Sequence, residues 1–476
     1  MKKILVFLLL ILTLTLVACD LKIVIDDNSG NSGENGDERV HAKNTVNFFT
    51  INDIHGQIIT DDEAGTTGLD RVSTILKRLS ANDDYIKVSA GDLFQGTFFS
   101  NSLYGRPAIE WLNRENFDCF IIGNHEFDWG IDKIAAYKDG NLENGELNED
   151  CEVLGCNIYL KATNATPDWI DEYSIEECNG YKVGVIGCIG EGLTSSIAAS
   201  MCKDYTFVDP VPIASKLAKK LRVEEKCDVV VVVIHDYNTG TQNDGFANLT
   251  GDSRIDAIIC GHTHTQESEY LTRSDGYKIP VIECYGNNGS VGTIQINMRN
   301  DAPVSNGKIS HFNPKKFDID TDTYNFLYTF YDDVKKVGEQ VIGYTSRNLS
   351  KEEVGNIANL AMMAKFNAEV GIVNAGGIRS AISAGNITYS DVYKSLPFDN
   401  TVMLLKMMGS DLKRVTNTSL YVSIDDIDDN KVYTVAVISY VYENYNGFAA
   451  SSSDVENTNE IIRDVVMDYI RENYTK

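Results

Sequence analysis

Along the chain, short apolar runs alternate with stretches whose apolar residues return every three or four positions, and several runs end in a polar cluster. Residues 46–51, 85–90, 117–122, 228–234 and 256–260 have the length and composition of buried strands. Leu69, Val72, Leu76 and Leu79 fall on one helical face, and Pro107 suits a first helical residue ahead of Ile109 and Leu112. Ile213, Leu217 and Leu221 predict a helix before the 228–234 strand, while 280–282 and 291–296 predict closing strands. Residues 139–150 are polar and predict a surface loop. Strand and helix in alternation predict a layered α/β domain.

Near residues 301–316 the composition turns to Asn, Pro, Ser and Lys, which predicts a boundary. Residues 323–340 have helical spacing and predict a bridging helix. Beyond it, a helix starting near Gly355-Asn356 would turn Ile357, Leu360, Ala361 and Ala364 one way. A strand over 370–373 runs into Asn374-Ala375-Gly376-Gly377-Ile378-Arg379, and Ile461, Val465 and Tyr469 predict a closing helix. A chain of 476 residues exceeds one ordinary core, in keeping with two domains.

The polar clusters at the strand ends carry the chemistry. They are Asp53-Ile54-His55-Gly56, Gly91-Asp92, Gly123-Asn124-His125-Glu126-Phe127-Asp128, His235, and Gly261-His262-Thr263-His264. Ligands of open α/β sheets bind beyond the carboxyl ends of strands. A lone Asp or His there usually caps a turn, but these clusters hold five of the chain's seven histidines, which predicts one shared site. Asp, Asn and His without Cys suit Mn²⁺, Zn²⁺, Fe²⁺ or Co²⁺. Asp92, central in the motif order, is the natural bridge between two ions. Two ions about 3.5–4 Å apart would clamp a phosphate and lower the pKa of a shared water. His125 follows Asn124 directly and need not bind an ion; Asp128, three residues on, could hold its imidazole oriented and protonated for leaving-group work.

Composition narrows the partners. Lys+Arg 42 against Asp+Glu 69 gives a net charge of −27, which disfavours duplex nucleic acid and leaves small phosphorylated metabolites open. Lys2 and Lys3 precede an apolar run over 4–17, the pattern of a secretory signal. Leu16-Val17-Ala18-Cys19 resembles the bacterial lipobox, so Cys19 is expected to be lipidated and to anchor the protein outside the cytoplasm on the cell membrane. Cys119, Cys188, Cys260 and Cys284 lie in apolar runs and read as buried thiols, whereas Cys151 with Cys156 and Cys178 with Cys202 are open pairings.

The motif set resembles the calcineurin-like metallophosphoesterases. Phe127-Asp128-Trp129-Gly130 and Asn374-x-Gly-Gly-Ile378-Arg379 narrow the resemblance to the 5′-nucleotidase/UDP-sugar hydrolase family, from about Asn44 to the last residue. It implies a four-layer β-sandwich flanked by helices and joined to a smaller α/β nucleotide-binding domain. The expected limits are a signal peptide with lipobox over 1–19, a flexible tether over 20–43, a catalytic domain over 44–315, a linker with a helix over 316–345 and a substrate-binding domain over 346–476. One ion is expected on Asp53, His55, Asp92 and His264, and the other on Asp92, Asn124, His235 and His262. His125 and Asp128 would be the catalytic pair. Phe398 and Tyr440 would stack a base, and Asn374 and Arg379 would meet phosphate or ribose.

Two departures touch recognition. Asn348 stands where the family carries a further arginine, with Arg347 one residue away; Asn444-Tyr445-Asn446-Gly447 replaces a Gly-Gly-Asp-Gly stretch and puts Asn446 at the sugar-binding position. The expected activity is metal-dependent release of phosphate from nucleotides. The rivals are a 2′,3′-cyclic-nucleotide 2′-phosphodiesterase/3′-nucleotidase, a UDP-sugar hydrolase, and a nucleotide-binding lipoprotein without activity. Oligomeric state is not legible.

Overall fold

The computed structural model describes residues 41–62, 65–139, 147–148 and 150–476. The expected signal segment, Cys19 and most of the tether lie outside those residues, as does most of the 139–150 loop. Among the described residues no helix is long and apolar enough to cross a membrane.

The first part of the chain folds as two six-stranded sheets. One runs, in spatial order, Ala302–Phe312, Val291–Arg299, Thr45–Ile51, Ile86–Ser89, Cys119–Ile121, Glu152–Leu154, and its last four strands are parallel. The other runs Glu267–Thr272, Lys278–Glu283, Ala257–Cys260, Val229–His235, Tyr181–Ile189, Tyr173–Cys178, with the middle four parallel. Every residue of Val229–His235 is buried, as its unbroken apolar run requires. Val229, Val231 and Val233 join Val46, Phe48, Val88 and Ile121 in the core between the sheets. Val230, Val232 and Ile234 face the other way, onto Ala214, Leu217 and Leu221 of the helix Pro210–Val223. On the outer side of the first sheet, Phe49, Ile51 and Phe120 meet Val72 and Leu76 of the helix Leu69–Ser80 and Trp111 of Arg106–Arg114. Helix, sheet, sheet and helix make four layers.

The helix Thr321–Gly338 buries Leu327 in that outer core and leads to a second body. There a five-stranded sheet, Leu420–Val422, Val370–Asn374, Val432–Ile438, Thr401–Met408, Ser452–Ile461, packs with the helices Lys351–Phe366 and Ile462–Asn473 on a separate core. The two bodies touch through Phe98, whose ring meets the edges of Tyr389 and Tyr393 at 5.1 and 5.3 Å.

Three local expectations change. Residues 302–312 form an edge strand, which polar residues and Pro303 suit because, among the described residues, it pairs with a neighbouring strand of its sheet on one side only. The helix expected near Gly355 starts at Lys351, where Ser350 and Glu353 form a capping box. Its buried face is Val354, Ile357, Ala358, Ala361 and Met362; Leu360 is 47% exposed and Ala364 is exposed, because the earlier start and the sheet beneath select a neighbouring stripe. The nine described cysteines are all buried and unpaired, so neither open pairing forms.

Candidate active site

Three strands of the first sheet and two of the second end at one edge of the sandwich, and their next residues converge. Asp53 and His55 follow Thr45–Ile51, Asp92 follows Ile86–Ser89, and Asn124 and His125 follow Cys119–Ile121. His235 closes Val229–His235, while His262 and His264 follow Ala257–Cys260. Asp53, His55, Asp92, His262 and His264 all have positive φ, from 49° to 86°. Such backbone is costly for residues with a Cβ and is held only where the surroundings fix it. Two glycines permit the close approach: a Cβ on Gly123 would lie 2.4 Å from Asp92 Oδ1, and one on Gly91 would lie 2.6 Å from His235 Nδ1.

The side chains form overlapping groups able to hold a cation: Asp53, His55 and His264; Asp92, His235 and His262; and His55, Asp92 and His125 between them. His264 Nε2 lies 3.2 Å from Asp53 Oδ1, and His235 Nε2 lies 3.2 Å from Asp92 Oδ2. The same Asp92 oxygen is 3.9 Å from His55 Nε2, so it stands between the outer groups. Asn124 Oδ1 is 3.1 Å from His235 Nε2. His55 Nδ1 faces the Gln95 carbonyl at 3.0 Å and His235 Nδ1 faces the Ala90 carbonyl at 2.7 Å. Those carbonyls take the Nδ1 protons and leave Nε2 pointing inward, the usual outer support of a metal-binding imidazole.

Three observations fit divalent ions at this cluster. Among the described residues, the buried Asp53 Oδ1 makes no well-formed hydrogen bond and has only an imidazole, that of His264, within 3.2 Å. The Nε2 atoms of His55 and His264 face each other at 2.9 Å, and burial followed by the Arg379 charge keeps His55 well below the ordinary imidazole range, hence neutral. At His235 burial opposes charge, but Asp92, its hydrogen bond to the ring and Asp53 outweigh it and raise the imidazole to about 10. At His235, therefore, the carboxylates of Asp92 and Asp53 favour positive charge.

His125 sits at the rim of this cluster. Its Nδ1 is 2.7 Å from Asp128 Oδ2, and its Nε2 is 4.0 Å from Asp92 Oδ2. Burial works against a charged ring, yet Asp128 and Asp92 together raise its pKa. Asn124, His125, Asp128 and His262 line a cavity of about 250 Å³ together with Asn374, Arg379, Phe398 and Tyr440 from the second body. The Phe398 ring stacks on His125 at 5.5 Å and 25°, and Arg379 lies 5.9 Å from the Phe398 centroid. Tyr440 donates to the Ser195 carbonyl at 3.1 Å, across the cleft.

Asn446 is not brought in: it is exposed and does not line the cavity. The helix Ser439–Asn444 ends before it and the extended Tyr445 carries the chain away. Asn444 crosses the cleft instead; its amide donates to the Ile197 carbonyl at 2.7 Å and its Oδ1 accepts from Ala199 N at 3.3 Å.

Sequence reasoning missed the supports. Glu126 is buried and accepts from the backbone N–H of Asp92, Leu93 and Gly123, at 2.8–2.9 Å, tying two strand ends together. Asn52 donates to Asp53 Oδ2 at 2.6 Å, and Glu283 accepts from Thr263 N and Oγ1 at 2.8 Å, fixing the turn between His262 and His264. Asp399, which lines the cavity, is clamped by buried Arg463 at 2.6 Å. Glu126 sits inside the most informative motif and was findable; Glu283 and Arg463 lie far away in sequence.

Two family models match the chain: calcineurin-like phosphoesterase over residues 46–266 and 5′-nucleotidase, C-terminal domain, over 334–422. The chain is 24% identical to endonuclease YhcR of Bacillus subtilis over 79% of its own length, and spans only 33% of that relative. It is 23% identical to a 5′-nucleotidase of Vibrio cholerae, covering 88% of this chain and 81% of that one. A 5′-nucleotidase precursor from Thermus thermophilus shares the fold with a TM-score of 0.76 at 20% identity, over 91% of this chain and 97% of the other.

Proposed function

We propose that this chain, which belongs to the family joining a calcineurin-like phosphoesterase domain to a 5′-nucleotidase C-terminal domain, hydrolyses phosphate esters of nucleotides. The observation that carries the reading is the shared cavity, where the acid–imidazole cluster of one body and the aromatic and cationic side chains of the other meet around a single space.

The roles assigned are these. Asp53, His55, Asp92 and His264 hold one divalent ion, and Asp92, Asn124, His235 and His262 hold another. Bound there, the ions supply Lewis acidity toward the phosphoryl oxygens and lower the pKa of water. His125, oriented through Nδ1 by Asp128, offers Nε2 to the departing nucleoside oxygen and delivers its proton. Arg379 and Asn374 hold phosphate or ribose oxygens; the buried Asn374 Oδ1, without a hydrogen-bond partner among the described residues, is free to accept from a sugar hydroxyl. Phe398 and Tyr440 offer aromatic faces to the base.

We assign the catalytic domain to 44–315, the linker to 316–345 and the substrate domain to 346–476, with the protein held outside the cytoplasm through a lipid on Cys19. The test is a panel of 5′-, 3′- and 2′,3′-cyclic nucleotides and an aryl phosphate, assayed with Mn²⁺, Co²⁺ and Zn²⁺. Release of phosphate from 5′-monophosphates is expected. Hydrolysis of the aryl phosphate alone, with every nucleotide left intact, would overturn the nucleotide assignment.

A further inference from the structure

Residues 396–400 carry Phe398 to the cavity and belong to no helix or strand, so their backbone groups need partners from outside the segment. The Leu396 carbonyl accepts from Arg463 Nη1 at 3.2 Å, and the Phe398 carbonyl lies 3.5 Å from the same nitrogen. The Pro397 carbonyl accepts from Asn101 Nδ2 of the first body at 3.3 Å, and the Asn400 carbonyl accepts from Ile462 N at 2.9 Å. Arg463 Nη2 then closes on Asp399 Oδ1 at 2.6 Å. One guanidinium thus serves three of the five residues and brackets Phe398.

Neither the helix nor the core accounts for Arg463. It is the second residue of the helix Ile462–Asn473, and the first turn of a helix favours negative side chains over positive ones. It is also 5% exposed, and burying a charge is unfavourable unless its partners are well placed. Those partners lie in the segment carrying Phe398, where a planar fork can meet acceptors on two sides at once. The guanidinium carbon lies 3.8 Å from the Tyr393 ring centroid, and Tyr393 belongs to the helix Tyr389–Ser395 that leads into residue 396. Arg463 therefore joins the end of one helix, the irregular segment and the start of another. The Asp399 carboxyl group is 49% exposed on the cavity wall, so the ion pair alone contributes little stability and the fork chiefly fixes geometry.

We propose that Arg463 is a positioning residue for nucleotide recognition, acting through residues 396–400 to set the Phe398 ring. Arg463 does not line the cavity and acts at one remove from the base. The ring it sets stacks on His125 at 5.5 Å, so the same clamp fixes the spacing between the aromatic platform and that imidazole. The inference rests on the reading of Phe398 as a platform for the base and adds the residue that holds the platform in place.

The experiment compares the full chain with Arg463→Met, Arg463→Lys, Phe398→Ala, and each Arg463 variant combined with Phe398→Ala. Arg471→Met, which removes a charge from an exposed site on the same helix, is the control. Metal content and thermal midpoint are measured for each, with kcat and KM for a nucleoside 5′-monophosphate and for an aryl phosphate. Arg463→Met is expected to raise nucleotide KM about tenfold, and Arg463→Lys about threefold because it keeps the charge without the fork. Arg471→Met should leave it unchanged, and kcat and the aryl phosphate constants should hold in all three. In the double variants nucleotide KM should be no higher than in Phe398→Ala alone, because a residue acting through Phe398 has nothing left to position. Effects that multiply in the double variants, or equal losses on both substrates, would show a role in stability only and overturn the proposal. Unchanged KM in both Arg463 variants would overturn it as well. If Arg463→Met does not fold, Arg463→Lys and its double variant decide by the same criteria. Unchanged nucleotide KM in Phe398→Ala removes the stacking reading and this inference with it, whereas failure to hydrolyse any nucleotide removes the proposed function itself.

Discussion

The half of the site built on strand ends and the half supplied by the second body differ in how tightly each is held. Asp53, His55, Asp92, Asn124 and His235 are buried, and Asn52, Gln95, Ala90 and Glu126 hold them or their turns by hydrogen bonds. Arg379, Phe398 and Tyr440 are half-buried, and the Tyr440 hydroxyl is held by a bond to the Ser195 carbonyl. The first half is preorganised for chemistry that tolerates little displacement. The second is held by fewer bonds of its own and, on the function proposed above, is the half expected to adjust to different nucleosides. A fixed reacting centre with adjustable recognition follows from this division.

The sharpest way to break the comparison is to remove the ions. Exhaustive chelation, or Asp92→Asn, is expected to reduce hydrolysis of every ester to background, and added Mn²⁺, Co²⁺ or Zn²⁺ to restore only the chelated protein. Activity that persists after verified metal loss would dissolve the distinction between the halves. Next in size is His125→Ala, expected to lower kcat by about 10²–10⁴-fold with metal content unchanged. Loss of an ion would move His125 into the ligand set, as its place in one of the three cation-holding groups allows. Asp128→Asn refines this. Burial disfavours the charged ring and Asp128 is the largest influence raising its pKa. A general acid works protonated, so activity declines as pH climbs through that pKa; without Asp128 the decline should begin at lower pH.

On the recognition side, stacking on a base is worth about 1–3 kcal/mol, so Phe398→Ala should raise KM for nucleotides by about 5- to 100-fold and spare an aryl phosphate. A matching fall for the aryl phosphate would show that Phe398 acts chiefly by covering His125, on which it stacks. The smallest effect is expected from Asn444→Ala. It removes three neutral hydrogen bonds across the cleft, the one to the Ser195 carbonyl long at 3.5 Å, each worth at most about 0.5–1.5 kcal/mol net, and should change nucleotide KM only a few-fold with kcat for the aryl phosphate unaltered.

Legibility in the sequence followed the same division. Strand ends could be read because a buried parallel strand is an unbroken apolar run and its polar successor is conspicuous, as in Val229–His235. The layered α/β arrangement followed from strand–helix alternation and its four layers only from the resemblance, while the polar edge strand Ala302–Phe312 hid for lack of an apolar face. The start of Lys351–Phe366 was written in Ser350 and Glu353, a signal of two residues easily lost beside a hydrophobic stripe. Around the cavity, Phe398 and Arg379 were reached only through resemblance, since nothing local separates them from core or surface residues. Asn446 could not be placed because the direction of the chain after Asn444 is decided by tertiary packing.

The left-handed backbone at five of the acid and histidine positions also bears on how this fold can change over time. Those conformations suit glycine and cost side-chain-bearing residues on the order of 1–3 kcal/mol each. Selection for turnover therefore works against selection for durability at the same residues. On the metal roles proposed above, a descendant relieved of catalysis is expected to gain by exchanging Asp53, His55, Asp92, His262 or His264 for glycine, relaxing its loops as it gives up its ions. Chains of this architecture that merely carry nucleotides should bear that mark: a sturdier sandwich, with glycines where the acids and imidazoles once stood.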